Sequence, residues 1–266
     1  MNRTKGFIFL FFLLIGIINP CFALTHHHKK HHVRHKTHKH IIACIPNRKP
    51  DTVIPEETPT PHRSFAASIG QRLVSFVHKT VDTIRYSAYK LGGTHFDPSR
   101  GIYIVDCSTY VDNILEEVYP RAYSSLVNSV GTDKPTSQHY YDFFNGLNNR
   151  SRHYWNKVDD AAQLQAGDIL VFRYKQPHKA LTQGHVMVVM DTPTRFHNAI
   201  SLQVADSAPV GHSNDTRESH VSGIGIGTML LKINPRTGEP SAYAWKENSS
   251  WKGHVHFAMA RPREIS

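Results

Sequence analysis

Polar and apolar positions alternate with two different periods along this chain, and each change of period marks an element. In "SFAASIGQRLVSFVHKTVDTIRYSAYKLGG" the apolar residues Phe65, Ile69, Leu73, Phe76, Val77, Ile84 and Ala88 recur at three- and four-residue steps. That spacing lines up side chains on one face of a helix, so one amphipathic helix is predicted from about Ser64, ended by Gly92 and Gly93. In "STYVDNILEEVY" a second stripe, Val111, Ile114, Leu115 and Val118, predicts a helix over 108–119 that Pro120 stops. Further on the period shortens to two. "AGDILVFRY" (166–174) reads as a strand entered through a Gly-Asp turn. "GHVMVVMDTP" (184–193) is apolar on both faces, Met187 and Val189 on one and Val186, Val188 and Met190 on the other, as an interior strand should be. "ISLQVADSA" (200–208) alternates so that Leu202, Val204 and Asp206 share a face. From Gly211 onward two or three more strands are predicted, with a turn at "PRTGEP". Helices first and strands afterwards predict an α+β domain in which N-terminal helices pack on an antiparallel sheet.

The first 63 residues have a different texture. Arg3 and Lys5 precede an apolar run from about Phe7 to Ile18, and a small residue follows at Ala23, the layout of a secretory signal peptide over 1–23. The run is shorter than the ~20 residues of a spanning helix, so the mature chain is expected to be secreted or periplasmic, without stable membrane insertion. A tail over 24–40 follows, with His26, His27, His28, His31, His32, His35, His38 and His40 interspersed with five Lys or Arg and no acid. Imidazoles at this density can chelate a divalent metal loosely; a solvated tether is the plainer reading. Residues 41–63 hold five prolines between Pro46 and Pro61, an extended linker. Most of the formal charge of +10 belongs to the signal and the tail. Without the two cations of the signal and the five of the tail, +3 remains from Ile41 onward, so the folded body gives no reason to expect nucleic acid as a partner. About 200 residues, 64–266, are left for one well-buried domain.

Candidate chemistry centres on Cys107. It stands at or just before the start of the 108–119 helix, where unpaired backbone N–H groups and the positive end of the macrodipole favour a thiolate and the oxyanion it would create. A nucleophile of this kind needs a base and an orienting group. His185 opens an interior strand, and Asp206 places a carboxylate on an apolar face, where an imidazolium is a suitable partner. Plainer readings are a Cys44–Cys107 disulfide in an oxidising compartment, an interior histidine at 185, and a turn-forming aspartate at 206. Asp106 and Asp168 read as structural, the first at a helix start and the second in a turn. His139, His212, His220, His254 and His256 are too scattered in sequence for a metal site.

"YKLGGTHFDPSRGIYIVDCSTYV", then "AGDILVF", then "GHVMVV" resemble, in order, the signatures of the NlpC family of cell-wall cysteine peptidases. The likeness runs from about Tyr89 to Ala208. It implies a compact papain-like fold, Cys107 as nucleophile, His185 as general base, and Tyr89 as a phenol near the nucleophile that helps stabilise the oxyanion; a core aromatic is the plainer reading of Tyr89. Two positions depart from the family: Thr109, where Gly is usual, and Asp206, where the third position is most often His. The activity implied is hydrolysis of amide bonds in peptidoglycan stem peptides through a thioester acyl-enzyme, with no cofactor. The alternatives are a thiol hydrolase or acyltransferase acting on a lipid ester or a protein, and a noncatalytic surface protein that captures metal with its tail.

Overall fold

The computed structural model describes residues 68–148, 154–176 and 183–263. The chain divides into two units, Met1–Thr60 and Pro61–Ser266, and all described residues belong to the second. The signal segment, the histidine tail, the proline-rich linker, Cys21, Cys44 and Phe65 lie outside them.

Helix α1, Ile69–Asp82, begins at Ser68, whose hydroxyl accepts the Gln71 N–H while the Gln71 side chain accepts the Ser68 N–H, a reciprocal cap. Leu73 and Val77 are fully buried on its inner face. The single helix expected up to Gly92 is corrected here, since α1 ends at Asp82 and Tyr86–Tyr89 forms strand β1. Ile84 and Ala88 keep the helical spacing, but the β-branched run of Thr80, Val81, Thr83 and Ile84 weakens the helix. The backbone of Arg85 and Tyr86 instead donates to Gly101 O. Gly92 and Gly93 therefore turn one strand into the next, β2 at Thr94–Asp97. With β3, Ile102–Val105, these strands make a small mixed sheet in the order β1-β3-β2, β1 parallel and β2 antiparallel to β3. No alternation in the sequence marked it.

Helix α2, Cys107–Val118, lies where its apolar stripe places it. Pro120 does more than stop it, because the proline is also the first residue of α3, Pro120–Val130, where its missing N–H costs nothing. Helix α4, Ser137–Gly146, follows. The remaining strands are β4 Trp155–Lys157, β5 Ile169–Tyr174, β6 Gly184–Val189, β7 Thr194–Phe196, β8 Ala199–Ala208, β9 Gly223–Ile233, β10 Pro240–Ala244 and β11 Val255–Pro262. They form an antiparallel sheet in the order β10-β9-β8-β6-β5-β11-β4, with β7 paired to β8. Strand β6 is interior, as its two apolar faces require. Val171, Val186, Val188 and Ala205 meet the helices, including Val111, Ile114 and Leu115 of α2. Leu170, Phe172, Met187, Val189, Leu202 and Val204 pack into a second core on the opposite face. The architecture is α+β, with α2 packed on an antiparallel sheet.

Within α2, Asp112 is buried and accepts a hydrogen bond from the Tyr140 hydroxyl at 2.7 Å. Burial pushes its carboxyl up to about 8, against the smaller downward effect of Tyr140. The folded chain therefore holds a proton that the unfolded chain releases near pH ~3.9, so this group's stabilisation is lost as the pH rises from about 4 to about 8. Asp112→Asn keeps an acceptor for Tyr140 without titrating. The thermal midpoint of the wild-type chain is expected to fall relative to that of the variant between pH 5 and pH 8. A midpoint difference independent of pH would contradict this assignment.

Candidate active site

Cys107 is the first residue of α2 and is only 3% exposed, at the wall of a cleft of about 390 Å³. It carries no disulfide. Asp106 is the helix cap: its Oδ1 accepts the Thr109 N–H at 2.9 Å and the Ser108 hydroxyl at 3.0 Å, and its Oδ2 accepts the Gly92 N–H at 2.8 Å. One carboxylate thus fixes the start of α2 against the turn after β1, the structural role the sequence suggests. Thr109, where the resembled family usually has Gly, is partly exposed and its N–H is satisfied by the cap. The helix start is regular, and its first-turn N–H groups have no partners within the helix.

His185 lies on β6 opposite Phe172 of β5, and Asp206 lies on β8 opposite Gly225 of β9. The structure brings them together: His185 Nε2 is 2.6 Å from Asp206 Oδ2. A carboxylate only accepts, so Nε2 carries the hydrogen, and Nδ1 is the nitrogen left for the Cys107 side chain, whose charge acts on the imidazole. Asp206 has no exposed surface and sits inside a strand, which removes the turn-former reading. His185, in turn, is no isolated interior histidine.

Burial lowers the His185 pKa, but the charge of Cys107, the hydrogen bonds to Asp206 and Cys107, and the charge of Asp206 outweigh it and raise the imidazole to about 10. Burial likewise opposes ionisation of Asp206, yet His212, His185 and Arg217 hold its carboxyl well below the usual range. His212 Nε2 is 3.0 Å from Oδ2, and an Arg217 Nη2 donates to Oδ1 at 3.0 Å. Arg217 also donates to Asp215 at 2.8 and 2.7 Å and to Gly223 O at 2.7 Å. The other His212 nitrogen, Nδ1, meets Trp245 O at 3.1 Å; both bonds form together only with a proton on each nitrogen. The Trp245 ring stacks on His212 at 4.1 Å and stands edge-on to His185 at 5.2 Å.

Tyr89 pairs with Val105 across the small sheet, two residues before Cys107. It is half-buried rather than a core aromatic. Burial, then the negative charges of Cys107 and Asp106, raise its phenol far above neutral pH, so it remains a donor near the sulfur. His185 and Asp206 are thus in direct contact and Cys107 acts on the imidazole, while Tyr89 lies within electrostatic reach of Cys107 and Asp206. Asp168, read as structural, accepts the Gln165 N–H and pairs with Arg261 at 2.8 and 2.9 Å. The cleft of about 270 Å³ beside it shares no lining residue with the Cys107 cleft.

Sequence reasoning missed most of the back of the site. His212, too scattered for a metal site but, with Gln203, next in line after Asp206 for the third role, touches Asp206, and Asp215, Arg217 and Trp245, which the sequence did not mark, complete the cluster. His212 and these three come from the segment after β8, read from sequence as extra strands only. "HSNDTR" had one usable signal: an Arg with no acidic partner at helical spacing, close to a strand bearing a buried Asp.

The signature glycines have steric causes. A Cβ on Gly184 would overlap the backbone of Phe172, and one on Gly167, where φ is +88°, would overlap Gly70. Gly184→Ala is therefore expected to push β6 away from β5 and shift His185. An assay of thiol reactivity at Cys107 should fall about tenfold or more with a modest loss of thermal midpoint. Unchanged reactivity would show that β6 absorbs the methyl elsewhere.

Among known proteins the chain is similar to the uncharacterized protein R653 of Acanthamoeba polyphaga mimivirus, 23% identical over 161 residues, covering 53% of this chain and 68% of that protein. No protein-family model and no solved structure matches the chain.

Proposed function

We propose that this chain is an exported cysteine hydrolase with an NlpC-type, papain-like domain, cutting amide bonds in peptidoglycan stem peptides. The observation that carries the reading is the convergence of Cys107, at a helix N-terminus, with a His185 that Asp206 grips at 2.6 Å. The ordered sequence signatures from Tyr89 to His185 supply the substrate class, and the apolar N-terminal segment supplies the compartment. The histidine tail, if it binds divalent metal, does so apart from this chemistry.

In this mechanism the Cys107 sulfur, paired with the His185 imidazolium, attacks the carbonyl carbon of the scissile amide. The resulting oxyanion accepts hydrogen bonds from first-turn N–H groups of α2 and from the Tyr89 hydroxyl. His185 donates its Nδ1 proton to the leaving nitrogen, the C–N bond breaks, and a thioester to Cys107 remains. Neutral His185 then takes a proton from water as it attacks the thioester, releasing the acid and restoring the thiol. Asp206 stays ionised and orients the ring throughout.

The test is digestion of purified muropeptides followed by mass spectrometry. The wild-type chain is expected to release fragments one water heavier in sum than the parent, and the Cys107→Ala chain none. Intact muropeptides combined with cleavage of a lipid or protein ester would move the substrate and leave the chemistry; no Cys107-dependent cleavage of any acyl compound would sink the enzyme reading.

A further inference from the structure

The cleft at Cys107 does not end there. Gln138 and Gln183 line both it and a second depression, of about 220 Å³, whose other walls are Arg173, Tyr174, Lys175 and His256. Three cations or potential cations thus flank the far end of a path that starts at the sulfur. Lys175 is exposed and makes no ion pair among the described residues. Arg173 is half-compensated: it meets the half-exposed Asp142 at 3.1 Å and lies 4.4 Å over the Tyr141 ring. Burial and the charges of Lys175 and Arg173 push the His256 imidazole down, the response of a group in a positive field.

A second observation comes from the near end. Ser137, in the first turn of the ten-residue helix α4, lines the Cys107 cleft at 6% exposure, and its hydroxyl has no partner among the described residues. The residue is largely buried, but its hydroxyl is not among the enclosed side-chain atoms without a partner, so the oxygen reaches the surface of the cleft it lines and is free to bind an occupant there. Beside it the start of α4 adds the positive end of a helix dipole. Hydroxyl, amides and cations in sequence along one path suit a polar chain that ends in an anion.

Resting on the hydrolase reading, we infer that the substrate of Cys107 carries a carboxylate, seated between Arg173 and Lys175, with Gln138, Gln183 and Ser137 binding the polar chain between it and the scissile carbonyl. The side chains are on rigid supports, Arg173 within β5 and Ser137 in α4, so the subsite selects by distance as well as charge.

The experiment uses the full chain and iodoacetamide reagents bearing, at the end of a two- to six-methylene linker, a carboxylate, its primary amide or a phosphate. At low salt the carboxylate reagent of best length is expected to alkylate Cys107 about fivefold faster than its amide. Lys175→Met and Arg173→Met should each erode that advantage, slowing the carboxylate reagent more than its amide. Binding of the unreactive N-acetyl ω-amino acids, followed by saturation-transfer NMR, should show the same preference without using the thiol. No preference in either measurement, or one that survives both substitutions, overturns the subsite. A faster phosphate reagent overturns the carboxylate assignment. Selective binding with an inert Cys107 would keep the subsite and sink the hydrolase reading instead.

Discussion

Cys107→Ala is expected to reduce hydrolysis of a soluble acyl substrate by at least about 10⁴-fold, since of the cleft-lining side chains only Cys107 acts on the His185 imidazole. The thermal midpoint should change little, because the side chain lost is small. Cys107→Ser is the sharper control. It preserves size and position beside His185 but offers an oxygen that a histidine at this site would have to deprotonate outright, so its rate should lie close to that of the alanine variant. Rates within tenfold of wild type in either variant would place the nucleophile elsewhere.

Asp206 carries the second large effect. Its carboxylate is enclosed and accepts from His185, His212 and Arg217 at once. In Asp206→Asn one amide oxygen remains, and the new NH₂ must face either the imidazoles or the guanidinium, all of them donors. The rate is expected to fall about 10²–10⁴-fold, the range for disturbing an acid/base partner or its orienting acid. Asp206→Ala leaves Arg217 with Asp215 as its one carboxylate partner and His212 with only its contact to Trp245 O. It should add a stability loss of about 3–5 kcal/mol, the cost of breaking a buried charge pair. A loss of rate equal to the loss of folded protein would mean a purely structural role, so both are read on the same samples.

The pH dependence separates these cases further. His185 is raised in the folded chain, so its contribution to stability is complete below about pH 6.5 and is lost as the pH climbs through about 10. Asp206 is depressed, so its contribution is complete above about pH 3.9 and is lost as the pH falls toward its lower folded value. The wild-type rate should therefore hold from mildly acidic pH to an alkaline limit near 10. In Asp206→Asn that limit should move down, because one of the forces keeping the imidazolium charged has gone.

The amount of this that could be read from the sequence follows the range of the interactions. Local signals were legible. The 3.6-residue stripe in α2, the two apolar faces of β6 and the alternation in β8 each bury a defined set of residues, and each element formed where its pattern said. Cys107 at a helix start and Asp206 on a buried face were readable for the same reason. What failed depended on partners distant in sequence. Residues 86–89 have spacing compatible with a helix and become a strand only because Ile102–Val105 lies alongside. His212 and Arg217 look like loop residues until β8 and β9 bring their loop over Asp206. Helices α3 and α4 went unread because Pro120 suggested an end, when it serves equally as a beginning.

The central claim is that Cys107 is a sulfur activated by His185, and its most direct test is competitive alkylation. The full-length chain is treated with limiting iodoacetamide at pH 7, and the labelled cysteines are quantified by peptide mapping in wild type and in His185→Ala. Burial at 3% exposure works against Cys107, while Cys21 and Cys44 have no catalytic neighbour assigned to them. The account predicts that Cys107 is nonetheless labelled first in the wild-type chain and loses that lead in the variant. Labelling of Cys107 no faster than that of Cys21 and Cys44, or a lead that persists without His185, would contradict it.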